Sequence, residues 1–399
     1  MKKSKYTFVI IGSGIIGLTL AKELYKKHKN AKILILEKEK SIGLHASGRN
    51  SGVVHSGIYY PSGSLKAEIA VEGARKLKKF AKDNNLPIRE SGKIIIGKSI
   101  KDAGSIETLI NNANNSGIKY TPLDRSKILK LEPYAKGNDI GIHIPFTSVV
   151  DSKSLIQCLY SELINKSITF SFDSKILKFE EQTIILDNQI IQYEHLFNAA
   201  GFGSLEIAHK FNLAKNYALL PFKGIYYKLK KDRDFMVNNN IYPVPDLNYP
   251  FLGVHLTRLI NDDVFVGPTA IPVFGPENYS KLKGIDLRFL KDIIFIHSQM
   301  LIKNKNNFRS LFKKEFQMYF KKNFVETARS LVPAINEKDL VSSNKVGIRP
   351  QIVNSENFSL EMDFIIEKTD SSTHILNSIS PAFTTSLGFA EYVVSDVNY

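Results

Sequence analysis

The stretch YTFVIIGSGIIGLTLAKEL, Tyr6 to Leu24, limits what this chain can fold into more than any other. A strand-like run, FVIIG, passes at once into Gly12, Ser13, Gly14, Ile15, Ile16 and Gly17, and then into a helical pattern in which Ile16, Leu20 and Leu24 recur every fourth residue. The spacing G-x-G-x-x-G serves a defined geometry. Its first glycine permits a tight turn, its second lets backbone N–H groups approach a pyrophosphate, and its third lets helix and strand pack closely. Alone the fingerprint is weak, but a second apolar strand, Ile33 to Leu36, ends in Glu37, twenty residues after Gly17. A carboxylate there accepts hydrogen bonds from ribose hydroxyls and disfavours the 2′-phosphate of NADP. The basic opening MKKSK, the short apolar run and Ala21 also suggest an export peptide, a reading that leaves the three spaced glycines unexplained. Strand, glycine turn, helix, strand and acid in this order predict a dinucleotide-binding unit.

A chain of 399 residues, 43% of them hydrophobic, can bury a large core and is long enough for two or three domains. No apolar run reaches the roughly eighteen residues a membrane span needs. The single cysteine, Cys158, excludes an intrachain disulfide and a thiol metal cluster, and no metal site is expected. It reads as a small buried apolar residue on a helix, and the compartment as reducing and cytoplasmic. The 54 Lys and Arg against 39 Asp and Glu give a net charge of +15. An anionic substrate, an acidic membrane surface and nucleic acid all fit that excess, as does simple drift toward Lys, Asn and Ile, visible in LIKNKNNF. The lysines are scattered rather than blocked, so no nucleic-acid partner is expected.

Beyond the opening unit, SIGLHASGRNSGVVHSGIYYPSGSL reads as a loop, followed by a helix over 65–82. SGKIIIG reads as a strand, 106–115 as a helix, and DSKSLIQCLYSELINK as a helix capped by Asp151 or Ser152. ITFSF, KILKF and TIIL follow as strands, and HLFNAAGFGS ends in a second small-residue turn. Alternation and prolines over 222–267 predict antiparallel sheet. FRSLFKKEFQMYFKKNF places Phe308, Phe312, Phe316, Phe320 and Phe324 at four-residue spacing on one expected helix. That stripe drifts about 40° per step, and the helix either packs on the protein body or docks on an anionic bilayer. The chain then returns to α/β character with a strand, a proline turn and a helix over 386–397. The fold class that follows is α/β, α+β overall: a discontinuous Rossmann-like cofactor domain (1–85, 146–212 and 335–399) interrupted by a mostly antiparallel substrate domain (86–145 and 213–334).

Two small-residue turns from distant segments bear on the cofactor. Ser47, Gly48, Arg49, Ser51 and Gly52 lie just beyond the ribose acid, and Ala200 and Gly201 in NAAGFGS give a second close backbone approach. Together they favour FAD, a long and permanently held cofactor, over dissociable NAD.

The stretches EKEKSIGLHASGRNSGVVHSGIYY, PFKGIYY, NIYPVPDLNYPFLGVHLTR, VGPTA and GIRPQ, in this order over nearly the whole chain, resemble the L-2-hydroxyglutarate oxidase or dehydrogenase family, within the FAD-dependent D-amino-acid-oxidase-like superfamily. The resemblance implies noncovalent FAD, oxidation of an L-2-hydroxy dicarboxylate to 2-oxoglutarate, and electrons passed to a quinone or oxygen. It extends the expected cofactor contacts to Lys38, Val53, Ile176, Pro381, Ala382 and Thr384. Two departures stand out. Lys223 replaces the usual arginine in PFKGIYY, and lysine cannot make the planar two-point contact with a carboxylate. NSISPAFTTS replaces the usual NAPSPAATSS in a loop expected near the flavin ring.

Moving a hydride from a hydroxy acid carbon to flavin N5 requires a pinned carboxylate, a base for the hydroxyl proton and exclusion of water. Arg349 in GIRPQ matches an arginine that clamps carboxylate in the superfamily. Arg258 or Lys223 is the candidate for a second carboxylate. His55 and His255 are candidates for the base, each with a purely structural role as the alternative. Tyr59 and Tyr60 either donate hydrogen bonds to substrate or pack. A related FAD-dependent amino acid oxidase is the competing enzyme reading, and a basic flavoprotein binding RNA the competing non-enzyme one. Expected partners are a small dicarboxylate and an electron acceptor, with a cytoplasmic location that leaves peripheral membrane contact open.

Overall fold

The structure, a computed structural model, describes residues 2–97, 99–166, 168–280 and 283–397. The opening stretch forms strand Lys2–Ile11 and helix Ile15–Lys27. That strand lies inside an eight-stranded sheet, parallel to Ile33–Leu36 on one side and to Gln189–Asn198 on the other. Thr169–Ser171 extends the parallel run beyond Ile33–Leu36, and Ser372–Leu376 extends it beyond the carboxyl half of Gln189–Asn198. Ile33–Leu36 and Ser372–Leu376 are buried throughout, and Lys2–Ile11 and Gln189–Asn198 over their last four residues, the burial on both faces that a parallel sheet covered by helices requires. One face is covered by helices Ile15–Lys27, Leu65–Asp83, Ser152–Asn165 and Ala382–Ser395. Segments about 350 residues apart thus share one core, so the first and last parts of the chain fold together.

A second sheet of nine strands is antiparallel except where Asn240–Pro243 runs parallel to Lys93–Ile96. Its long axis is Tyr217–Leu229 paired with Leu340–Asn354 over twelve positions. This pairing corrects one expected boundary: 340–354, assigned above to the cofactor domain, is built into the second sheet. Composition could not show it, because a fifteen-residue strand is claimed by its long-range partner rather than by its neighbours in sequence. The two sheets meet where Gly347 crosses the 46–51 loop; a β-carbon there would stand 2.9 Å from the Arg49 carbonyl oxygen.

The phenylalanine stripe does not form one helix. It is divided into Phe308–Gln317 and Lys321–Arg329, and Phe320 between them adopts extended backbone as the cap of the second. Phe308, Leu311 and Glu315 form the buried face of the first piece, and Phe324 is buried by the second, while Phe316 and Phe320 are exposed. A strict four-residue repeat drifts around the helix, so the core selects a three- and four-residue repeat instead. The carboxyl-terminal helix begins at Ala382, a turn earlier than expected. Cys158 is half-buried on helix Ser152–Asn165, packed against the first core. No helix among the described residues is long and apolar enough to cross a membrane.

Candidate active site

The glycine turn is built from contacts that leave no room for side chains. Gly12 holds φ +103°, and a β-carbon on it would lie 2.5 Å from the Ala199 carbonyl oxygen, which brings the 199–203 turn against the first one. A β-carbon on Gly17 would lie 1.9 Å from the Gly12 carbonyl oxygen. Gly14 caps helix Ile15–Lys27, and the Ile15 N–H donates to Ser47 Oγ at 2.9 Å, tying the helix start to the 46–51 loop. Glu37, buried at the end of its strand, accepts from Ser13 N–H at 2.8 Å and from Ser13 Oγ at 2.6 Å through one carboxylate oxygen. Its other oxygen accepts from the Glu39 N–H at 3.0 Å. A helix N-terminus, a turn in which Gly12 and Gly14 carry no β-carbons, and a carboxylate a short way beyond suit pyrophosphate and ribose.

From this cradle a cavity of about 170 Å³ runs into the second sheet. Ile15, Ser47, Arg49, Ser51 and Val53 line its first side, and Ser378 to Thr384, the turn into the last helix, line another. Thr384 Oγ1 accepts the His55 N–H at 3.1 Å and donates to the Val53 carbonyl oxygen at 3.3 Å, which locks the start of that helix to the 53–55 segment. The far wall carries His55, Tyr226, His255, Glu315 and Arg349.

Strand register explains this wall. On Leu340–Asn354, Arg349 faces the partner strand at Phe222, and its guanidinium donates to the Thr269 carbonyl oxygen at 3.0 Å. No carboxylate among the described residues lies within ion-pair distance of it. Glu315 is buried, accepts from the Ala270 N–H at 2.6 Å, and is pushed above the usual carboxylate range by burial. Tyr226 is pushed up to about 12 by burial and is therefore a neutral phenol. His255 donates from Nδ1 to the Gly253 carbonyl oxygen at 2.8 Å, which fixes its tautomer and leaves Nε2 as an unprotonated lone pair. Burial, opposed by that bond and assisted by Arg349 and Lys93, holds its pKa near about 3. His55 is likewise held well below its ordinary value, by burial first and by Lys93 next. Its Nδ1 is buried without a protein partner, an atom that a bound ligand can satisfy.

Several expected site residues stand elsewhere. Lys223 is one position from Gly224 and three from Tyr226, both of which line the cavity, so strand alternation turns it to the opposite face. There its Nζ donates to the Ser280 carbonyl oxygen at 3.3 Å. Arg258, at the end of strand His255–Arg258, is consumed by the Asp262 carboxylate at 3.2 Å and by the Val237 and Asp234 carbonyl oxygens. Tyr59 and Tyr60 pack in the core under the second sheet, and Tyr59 accepts from Lys93. Lys38 is exposed and paired with Glu277 at 2.6 Å. Gly48 and Gly52 serve the loop itself, since β-carbons there would meet the Gly43 and Val150 carbonyl oxygens. Ile16 lies in the helix core and Ile176 against the other face of the first sheet, whereas Ala200 stays beside the glycine turn, its α-carbon 3.2 Å from where a β-carbon of Gly12 would lie. Gly201 holds φ +57° in its turn, and a β-carbon on it would meet no heavy atom within 4 Å.

Sequence reasoning missed Lys93 and Glu315. Each carried a signal: a lysine opening the run KIII, and an acid four residues after Leu311 on a buried face.

Comparison with known proteins follows this geometry. The family model described as FAD dependent oxidoreductase matches residues 7–395. The L-2-hydroxyglutarate dehydrogenase of Indibacter alkaliphilus is 32% identical over 96% of both chains, and that of Escherichia coli K12 29% identical over 98% of this chain and 93% of its own. An L-alpha-glycerophosphate oxidase of Mycoplasma pneumoniae, solved with FAD bound, superposes with a TM-score of 0.78 at 20% identity, covering 99% of this chain and 95% of its own. Glycine oxidase of Geobacillus kaustophilus gives 0.72 at 14%, covering 98% and 94%. With a cradle that excludes side chains and a cavity walled by histidines and an unpaired arginine, the chain belongs to the FAD-dependent oxidoreductase family and is an oxidoreductase that uses FAD.

Proposed function

We propose that this enzyme oxidises L-2-hydroxyglutarate, or a close L-2-hydroxy dicarboxylate, to the 2-oxo acid. The observation that carries this reading is Arg349, a half-buried guanidinium with no carboxylate within ion-pair distance among the described residues, lining one cavity with His255, whose Nε2 is unprotonated. Arg349 holds the carboxylate next to the reacting carbon, where its planar fork favours two-point contact. His255 Nε2 receives the hydroxyl proton, and the two negative charges of the substrate offset the cations that depress its basicity. FAD bound in the cradle would accept the hydride. Tyr226 and His55, neutral and facing the cavity, orient the acid by hydrogen bonds, and the buried wall excludes water. Relatives named L-2-hydroxyglutarate dehydrogenases, aligned over nearly the whole chain, support this substrate. Quinone or oxygen takes the electrons in this reading. Peripheral contact with an anionic bilayer is supported by exposed Leu287, Phe295, Ile302 and Phe316 on helices that also carry Lys291, Lys303, Lys313 and Lys314, with exposed Phe320 three residues beyond the second of them.

The test is anaerobic reduction of the purified holoenzyme. Flavin bleaching by L-2-hydroxyglutarate, and not by its D-enantiomer or by glycine, is expected. Bleaching by amines alone would move the assignment to an amino acid oxidase.

A further inference from the structure

Strand Lys93–Ile96 has four buried side chains, three isoleucines and one lysine. Lys93 is fully buried, donates from Nζ to the Tyr59 hydroxyl at 3.0 Å, and stands 4.1 Å from the Tyr59 ring centre and 5.1 Å from that of Tyr242. Among the described residues no carboxylate lies within ion-pair distance of it. A buried ammonium answered only by a phenol and two ring faces is costly unless an anion arrives nearby. Tyr242 stacks on His255 with ring centres 3.8 Å apart. The charge of Lys93 acts on both His55 and His255, and so does that of Arg349. Two cations without carboxylate partners therefore act on one pair of neutral imidazoles at the cavity wall.

We infer that Lys93 is a positioning residue for this site: its charge, felt at the cavity through Tyr59, Tyr242 and the His55–His255 pair, makes the enzyme select an acid with two carboxylates over one with a single carboxylate. Lys93 does not line the cavity and touches no substrate. A dianion answers both charges, whereas a monoanion answers one and leaves the other as it stands in the free enzyme, so the discrimination comes from the added attraction for the second carboxylate. The inference rests on the dicarboxylate reading above.

Its pH dependence has a fixed sign. Burial draws the Lys93 ammonium down to about 7. The groups facing it are Tyr59 and Tyr242, both pushed up by burial, then His55 and His255, both pushed down, with Arg349 beyond them. Between about pH 6 and 9 Lys93 is the member of this set that titrates. The preference for a dianion is present below about 7 and weakens as pH rises.

The experiment follows the flavin absorbance of holoenzyme titrated with glutarate and with butyrate, alongside steady-state oxidation of L-2-hydroxyglutarate, for the wild type, Lys93→Met and Lys93→Arg. The wild type is expected to prefer glutarate, less so at higher pH. Lys93→Met should lose about tenfold in glutarate affinity and raise KM more than it lowers kcat, with butyrate binding unchanged. Lys93→Arg should restore the preference and abolish its pH dependence. Equal loss for both acids, or an unchanged ratio in Lys93→Met, overturns the inference; so does a wild type with no preference for glutarate. If Lys93→Met fails to hold flavin, the wild-type pH series and Lys93→Arg decide. If the wild type oxidises no 2-hydroxy acid yet loses its glutarate preference in Lys93→Met, the reaction assignment falls and the role of Lys93 stands.

Discussion

Replacing Gly17 by alanine tests whether cofactor binding depends on the close approach of helix to turn. The added β-carbon would lie 1.9 Å from the Gly12 carbonyl oxygen, and real β-carbons essentially never come within 3.0 Å, so the two must separate by about 1.1 Å. Gly12 has little room to yield, because the Ala199 carbonyl oxygen stands 2.5 Å from where a β-carbon of Gly12 would lie. The start of helix Ile15–Lys27 therefore moves, and the 2.9 Å bond from Ile15 N–H to Ser47 Oγ opens past hydrogen-bonding range. Overpacking of this kind costs about 1–3 kcal/mol, offset by about 1 kcal/mol of helix propensity. Global stability should fall by only about 0–2 kcal/mol. The effect on FAD is larger, since a misplacement of about 1 Å in a preorganised site costs on the order of 10²-fold. FAD titration of the apoprotein by flavin fluorescence quenching, with urea unfolding beside it, measures both. Gly104→Ala is the control: it sits in helix Ala103–Asn115 with no heavy atom within 4 Å of the added carbon, and should bind FAD normally. Wild-type FAD affinity in Gly17→Ala would refute the steric argument.

Three further outcomes follow from the same geometry. Arg349→Lys should keep its flavin but lose on the order of 10²-fold in kcat/KM, because a point charge replaces the planar fork; flavin loss with normal kinetics in the residual holoenzyme would show that Arg349 serves the cofactor instead. Glu37→Gln should weaken FAD binding by about 10- to 100-fold through loss of charged hydrogen bonds and leave kcat of the saturated enzyme unchanged, as read by FAD titration followed by steady-state assay. Acid should destabilise the fold in a defined window: His255, His195 and His374 are held near about 3, 4 and 4 by burial and would rise to about 6.5 when unfolded, so unfolding takes up protons there. The urea midpoint at saturating FAD should therefore drop as pH falls from about 6.5 to 4, and a midpoint constant over that range would contradict the burial argument.

Local steric demands are what made the cofactor cradle readable. Gly12, Gly14 and Gly17 each answer a contact within a few residues or one strand away, and Glu37 ends a strand whose partner is the first one, so spacing alone carries the information. Arg349 was found through resemblance. The wrong assignments, Lys223 and Arg258, were both cations near a cavity whose side-chain direction depends on strand register, which a one-residue step inverts. The placement of 340–354 and the break at Met318 to Phe320 were hidden for a related reason. Each is decided by a partner more than a hundred residues away or by which neighbour offers a core.

Net charge, the most conspicuous compositional feature at +15, turns out to say little about the site. Many of the lysines and arginines are exposed, and many of those pair with carboxylates at the surface, where such pairs contribute little. Lys93, fully buried, and Arg349, half-buried on the cavity wall, have no carboxylate within ion-pair distance among the described residues. Taking either ion out of water is unfavourable by more than a phenol or a carbonyl can recover, so the folded protein carries one such deficit at the cavity wall and a second behind it. A ligand with two anionic groups is bound more tightly than its contact area implies, and one with a single anionic group gains only part of that attraction. Selectivity in this fold is then set by which buried cations lack partners, and loop changes that bring a carboxylate toward Lys93 would convert the same cavity to a monocarboxylate site without altering Arg349 or the histidines.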